Sequence, residues 1–90
     1  MIVNLTAIPY GNARVRIDTP NNCISLQSYD TTVAAIEDDW LTIFGLYSMT
    51  TRKHIGAFCK EYANCDYQTA KTLYEGGVKM NIYTGEVLPL

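Results

Sequence analysis

Through the first half of the chain apolar and polar positions alternate with a period of two, and after residue 50 the apolar positions recur every three or four. The first pattern marks strands with one wet face, the second amphipathic helices. The clearest strand is ARVRID, Ala13–Asp18, where Val15 and Ile17 alternate with Arg14, Arg16 and Asp18. CISLQS, Cys23–Ser28, resumes the alternation through Ile24 and Leu26, after Pro20-Asn21-Asn22 has broken the chain. Upstream, MIVNLTA reads as a strand with β-branched mass at Ile2 and Val3, followed by turn chemistry at Pro9-Tyr10-Gly11-Asn12.

The apolar run at 33–36 is followed by Glu37-Asp38-Asp39 and then by WLTIFGLY, residues 40–47. The simplest reading is a hairpin turning at Asp38-Asp39; a short helical turn over 33–36 is the alternative. Trp40, Thr42, Phe44 and Leu46 would share one face of the second strand, and Leu41, Ile43, Gly45 and Tyr47 the other. Both faces are largely apolar, which predicts a central strand covered on both sides.

Beyond it Ile55, Phe58, Cys59 and Tyr62 fall at i, i+3, i+4 and i+7, one continuous helical stripe. Thr50 or Thr51 is the expected cap, because a side-chain oxygen there satisfies an orphan N–H of the first turn. That helix should end near Ala63-Asn64. Asp66 would cap a shorter one over 67–75, with Tyr67, Ala70, Leu73 and Tyr74 inward, and Gly76-Gly77 would close it. VKMNIY, residues 78–83, alternates again, and the tail EVLPL either completes the sheet or pairs with another subunit. The order β-β-β-β-β-α-α-β predicts an α+β domain, a largely antiparallel sheet of about five strands packed by one long and one short helix.

Ninety residues make one domain, with no room for a second core. Nine acidic against seven basic side chains give a net charge of −2, which argues against a general grip on duplex DNA but leaves room for a local basic site. No charged start and long apolar stretch marks a secretion signal, and no run is long enough to span a bilayer. A cytoplasmic protein with free thiols at Cys23, Cys59 and Cys65 is therefore expected.

The stretch YSMTTRKHIGAFCKEY poses the central functional question. A helix N-terminus offers free N–H groups and partial positive charge, and Thr50, Thr51, Arg52 and Lys53 would add hydroxyls and cations for a phosphate or an acidic protein surface. The plainer reading is a threonine cap beside a solvated basic turn, since no glycine-rich phosphate loop precedes it. His54, Cys59 and Cys65 lack the paired spacing of a structural zinc site, so no metal and no cofactor is expected. No nucleophile has a recognisable base partner nearby, so an enzyme is not expected either.

Glu37, Asp38 and Asp39 are either solvated turn residues or an acidic patch that competes for a partner's nucleic-acid-binding groove. The aromatic residues suit a core, with surplus tyrosines left for an interface or for stacking bases.

SYDTTVAAI and YSMTTRKHI resemble a small bacteriophage-borne family of unknown function, whose members share SY-x-T-x-VA-x-I followed by YS-x-TT-x-x-HI and a helix. The resemblance implies a phage origin and no particular reaction. By type and size the chain is also similar to anti-CRISPR and other anti-defence inhibitors. The expectation is a non-enzymatic binding protein, possible as a homodimer, directed at a host CRISPR effector or another defence nuclease. Glu37, Asp38, Asp39 and Trp40 would form one contact, and Thr51, Arg52 and Lys53 a second. The alternative is a single-stranded nucleic-acid binder using the Thr50 to His54 turn and neighbouring tyrosines.

Overall fold

The strands follow one another across a seven-stranded antiparallel sheet in chain order, so each lies beside its predecessor. The computed structural model describes residues 1–9 and 11–90; the expected turn at Pro9 to Asn12 includes Tyr10, which lies outside the described residues. The strands are β1 (Ile2–Val3), β2 (Ala13–Asp18), β3 (Cys23–Ser28), β4 (Thr31–Glu37), β5 (Trp40–Ile43), β6 (Val78–Asn81) and β7 (Val87–Pro89). Helices α1 (Met49–Phe58) and α2 (Tyr67–Gly76) intervene between β5 and β6. The α+β class is as expected. The strand count is larger, because the tail folds back as β7 and pairs Val87 with Met80.

Register sorts the side chains. Val15, Leu26, Ala34 and Ile43 form one cross-strand row, and Ile17, Ile24, Ile36, Leu41 and Met80 the next. These rows meet Ile55, Phe58, Cys59, Ala63, Ala70 and Leu73 of the helical segment in one apolar core. The opposite face carries Arg16, Ser25, Ala35 and Thr42 in one row, and Asp18, Cys23, Glu37, Trp40 and Asn81 in another. Beyond the Ser25 row, toward the Ser28 end of β3, the pairing skips from Leu26↔Ala34 to Gln27↔Thr32, leaving Val33 as an extra residue. Such a bulge bends its strand and sharpens the local twist.

The β4–β5 turn falls at Asp38-Asp39, with Glu37 paired to Trp40 and backbone φ of 51° and 74° at the two aspartates. Positive φ at both central residues is the mirror-image turn whose twist matches paired strands. β5 is shorter than expected. It stops at Ile43, and Phe44 and Tyr47 are exposed, so residues 40–47 are not covered on both sides. Past the strand the Tyr47 ring folds back over Gly45, where a Cβ would lie 2.5 Å from it, and Tyr47 takes φ 47°.

α1 is capped by Ser48, whose Oγ accepts from the Thr51 backbone N–H at 3.3 Å, and not by Thr50 or Thr51. Its last turn widens into a π-helical stretch, Cys59–Ala63, closed by Asn64 in the left-handed region. α2 begins at Asp66 as expected, its carboxylate accepting from Thr69 N–H at 2.9 Å and Thr69 Oγ1 at 3.0 Å. Gly77 at φ 65° closes the helix, and its N–H reaches Leu73 and Tyr74 carbonyls. Ala70 and Leu73 face inward, Tyr67 partly so, but Tyr74 is exposed. The two helices approach closely at Gly56, where a Cβ would sit 3.2 Å from Tyr67 Cβ.

Candidate functional site

A buried hydroxyl chain ties the start of α1 to the end of β3. Ser48 Oγ donates to Thr51 Oγ1 at 3.3 Å, Thr51 Oγ1 lies 3.0 Å from Ser28 Oγ, and Ser28 Oγ lies 2.9 Å from His54 Nδ1. Ser28, Thr51 and His54 are all under 5 % exposed. Thr51 and His54 are one turn apart on α1, so both reach Ser28 where β3 ends. With Ser48 donating into the chain, the hydroxyl protons run in one direction if Thr51 donates to Ser28 and Ser28 to a neutral imidazole Nδ1. Burial lowers the His54 pKa, which favours that neutral form. The Tyr29 ring flanks the imidazole at 6.3 Å.

This arrangement corrects the expected role of Thr51. At 3 % exposure it offers nothing to a partner and holds α1 on the sheet. Arg52 and Lys53 remain on the outer side of α1, exposed. With Met49, Gly56, Ala57 and Lys60 they line a groove of about 820 Å³ between α1, Ile8 and the start of α2.

The acidic residues lie at the other end of the sheet. Cys23 begins β3 and pairs with both Asp18 and Glu37; Ser28 ends β3. Five residue steps along a strand put these two ends about 17 Å apart. The structure therefore gathers Glu37, Asp38, Asp39 and Trp40, and separates them from Arg52 and Lys53. It also adds Asp18. Burial first, and then the charges of Glu37, Asp18 and Asp38, push the Cys23 thiol pKa up. Asn22 fixes the turn on its neighbour hairpin, its carbonyl accepting from Asp38 N–H at 3.0 Å. Trp40 is half-buried, with Lys79 Nζ 5.4 Å from its ring centroid.

At the β3–β4 end the surface is aromatic. Tyr29 is 50 %, Phe44 50 % and Tyr47 62 % exposed, near the first turn of α1. At the π-helical turn the neighbouring Cys65 sulfur and then burial push the Cys59 thiol pKa up, and the pairing with Cys59 holds that of Cys65 down. Among the described residues no three His, Cys, Asp or Glu side chains converge in a metal-holding group.

Residues 1–75 match a family of unknown function, DUF8033. The chain belongs to DUF8033. The match takes in β1 to β5, α1 and nearly all of α2, with the whole hydroxyl chain and the acidic hairpin inside it. β6 and β7 lie beyond it. No curated protein and no solved structure matches the chain.

Sequence reasoning missed the Ser28–His54 pairing and the participation of Asp18. Ser28 ends an alternating strand and His54 precedes the stripe residue Ile55, so neither carries a local sign of the other. Asp18 was legible as the wet end of β2; only the register shows which strands it stands beside.

Proposed function

We propose that this DUF8033 domain is a non-enzymatic, phage-encoded binding protein that inhibits a host defence nuclease, in the manner of an anti-CRISPR protein. It works in the host cytoplasm by setting its acidic end into the partner's nucleic-acid groove. The supporting observation is the register that sets Asp18 and Glu37 on either side of Cys23, with Asp38 and Asp39 in the adjoining turn. Carboxylates crowded on paired hairpins present a predominantly acidic band, with Lys79 over Trp40 at its border, and such a band is complementary to a basic channel. The turn is held by backbone hydrogen bonds on both sides, from Asp38 N–H to Asn22 and from Ile82 N–H to Asp39, so little ordering is needed on docking.

The test is affinity capture from infected host cells, with and without nuclease treatment, using the native chain and two charge-reversed variants. A protein partner that survives digestion, is lost with Asp38→Lys/Asp39→Lys and is kept with Arg52→Glu/Lys53→Glu supports the reading. Capture that disappears on digestion overturns it.

A second reading is favoured by the exposed Tyr29, Phe44 and Tyr47 near α1. Aromatic faces beside Arg52 and Lys53 would stack and neutralise single-stranded nucleic acid. Its binding would weaken steeply with salt and vanish with Arg52→Glu/Lys53→Glu.

A further inference from the structure

The helix-free face of the sheet holds a hollow of about 360 Å³ lined by Ile2, Arg14, Arg16, Ser25, Gln27 and Thr32. Each residue arrives there by register: Ile2 lies opposite Arg16, Arg16 opposite Ser25, Arg14 opposite Gln27, and Gln27 opposite Thr32. The Val33 bulge brings Thr32 into that position and bends β4 beside the hollow. The lining contains two guanidinium groups, two hydroxyls and an amide, and no carboxylate.

Arg14 is held in place. Its Nη1 donates to the Gly11 carbonyl at 2.7 Å and to the Ala13 carbonyl at 3.1 Å. A guanidinium has five N–H donors in a rigid fork, so occupying Nη1 leaves the Nε–Nη2 edge for a bidentate acceptor. Arg16 lies two residues along the same face, about 7 Å away along the strand. Gln27 is steadied by its amide donating to the Tyr29 carbonyl at 3.0 Å, which leaves its second N–H. One cation held in place, a second beside it and several donors around a hollow of this size match a group with multiple acceptor oxygens and two negative charges.

We infer that the Arg14–Arg16 hollow binds the terminal phosphate of a small phosphorylated molecule, a phosphate monoester. The doubly charged monoester suits a pair of arginines, whereas a phosphodiester carries one charge. Ile2 supplies an apolar edge for the body of the ligand. The acidic row begins on the same face at Asp18, one outward position beyond Arg16 and about 7 Å farther along β2, so the anion is drawn to the Arg14 side of the hollow.

The experiment is an amide-resonance titration of the full chain with inorganic phosphate, with a nucleoside monophosphate, and with a short single-stranded oligonucleotide lacking terminal phosphates. Shifts centred on β2, β3 and Thr32 with the first two probes are expected. Phosphate shifting the same residues as the nucleotide marks the phosphate as the anchor; shifts with the nucleotide alone overturn that assignment. Arg16→Gln should weaken binding by about tenfold or more, the scale of a lost charge-assisted hydrogen bond. Gln27→Glu, nearly isosteric, should abolish it by placing an anion among the donors; because the change also loses the bond to the Tyr29 carbonyl, the amide spectrum and thermal midpoint are read alongside to show that the chain is folded. Binding that survives Gln27→Glu, shifts centred on α1, or an oligonucleotide that binds where phosphate does not would each overturn the inference.

Discussion

Ser28 and His54, 26 residues apart in sequence, share a 2.9 Å hydrogen bond between Oγ and Nδ1 beneath the first turns of α1. The bond fastens a helix to a strand end through polar groups in an otherwise apolar interface. A buried hydroxyl without a partner costs more than its bond contributes, so this chain selects one placement of α1.

The pairing makes the fold sensitive to acid. Burial holds the His54 pKa below its ordinary 6.5. The unfolded chain therefore binds a proton that the folded chain refuses, and stability rises with pH through that window. The His54 contribution is fully present above the unfolded value and falls away as pH drops below it. Urea midpoints measured at pH 7.5, 6.5 and 5.5 should decline in that order, and His54→Gln should flatten this segment of the profile.

Three hydroxyls, at Ser48, Thr50 and Ser28, differ in what they hold. Ser48→Ala removes the N-cap and should cost about 1 kcal/mol. Thr50→Ala touches an exposed, non-capping position and should stay within about 0.5 kcal/mol of the native value. Ser28→Ala strips Thr51 and His54 of their shared partner and should cost about 1–3 kcal/mol. Chemical denaturation of the three variants checks the ranking; a Thr50→Ala loss as large as that of Ser48→Ala would contradict the cap geometry.

Gly56 governs the distance between the helices. A Cβ at 3.2 Å from Tyr67 Cβ is crowded but near the limit that small shifts absorb. Gly56→Val should destabilise by about 1–3 kcal/mol through overpacking. Gly56→Ala should be milder, because a helix propensity gain of about 1 kcal/mol offsets the crowding. Thermal midpoints of the two variants supply the comparison.

The acidic turn separates folding from binding. Asp38→Asn/Asp39→Gly installs the residues that best tolerate two positive φ angles, so the thermal midpoint should rise. The same change removes two carboxylates, so capture of a protein partner should fall. A firmer fold with undiminished capture would detach the turn from the proposed function.

Much of this architecture was legible in the sequence, and the gaps have physical causes. Ala13–Asp18 and Cys23–Ser28 appear with the bounds their alternation gives, and the hairpin turns at Asp38-Asp39. Asp66 and Gly77 bracket α2 through local chemistry that needs no tertiary information. The α1 cap was expected at Thr50 or Thr51 and lies at Ser48, because the three hydroxyls are locally alike and only packing on the sheet takes Thr51 inward as part of the helix. β5 was drawn too long because Phe44 and Tyr47 look like core residues; the strand stops at Ile43, and the ring of Tyr47 folds over Gly45 instead. At the sites, the acidic run was visible as a run, but its gathering with Asp18 and the arginine hollow both depend on register between strands.

The in-order arrangement of the strands bears on how the chain reaches its final form. The turns joining β2 through β5 bring neighbouring segments together after only a few residues, so these hairpins close with little loss of chain freedom. One seam differs: Trp40 meets Asn81 only after both helices have been laid down between them. Distant contacts carry the larger closure cost, so that seam is the expected last step of folding, and until β6 arrives the edge of β5 stands open to pairing with another chain.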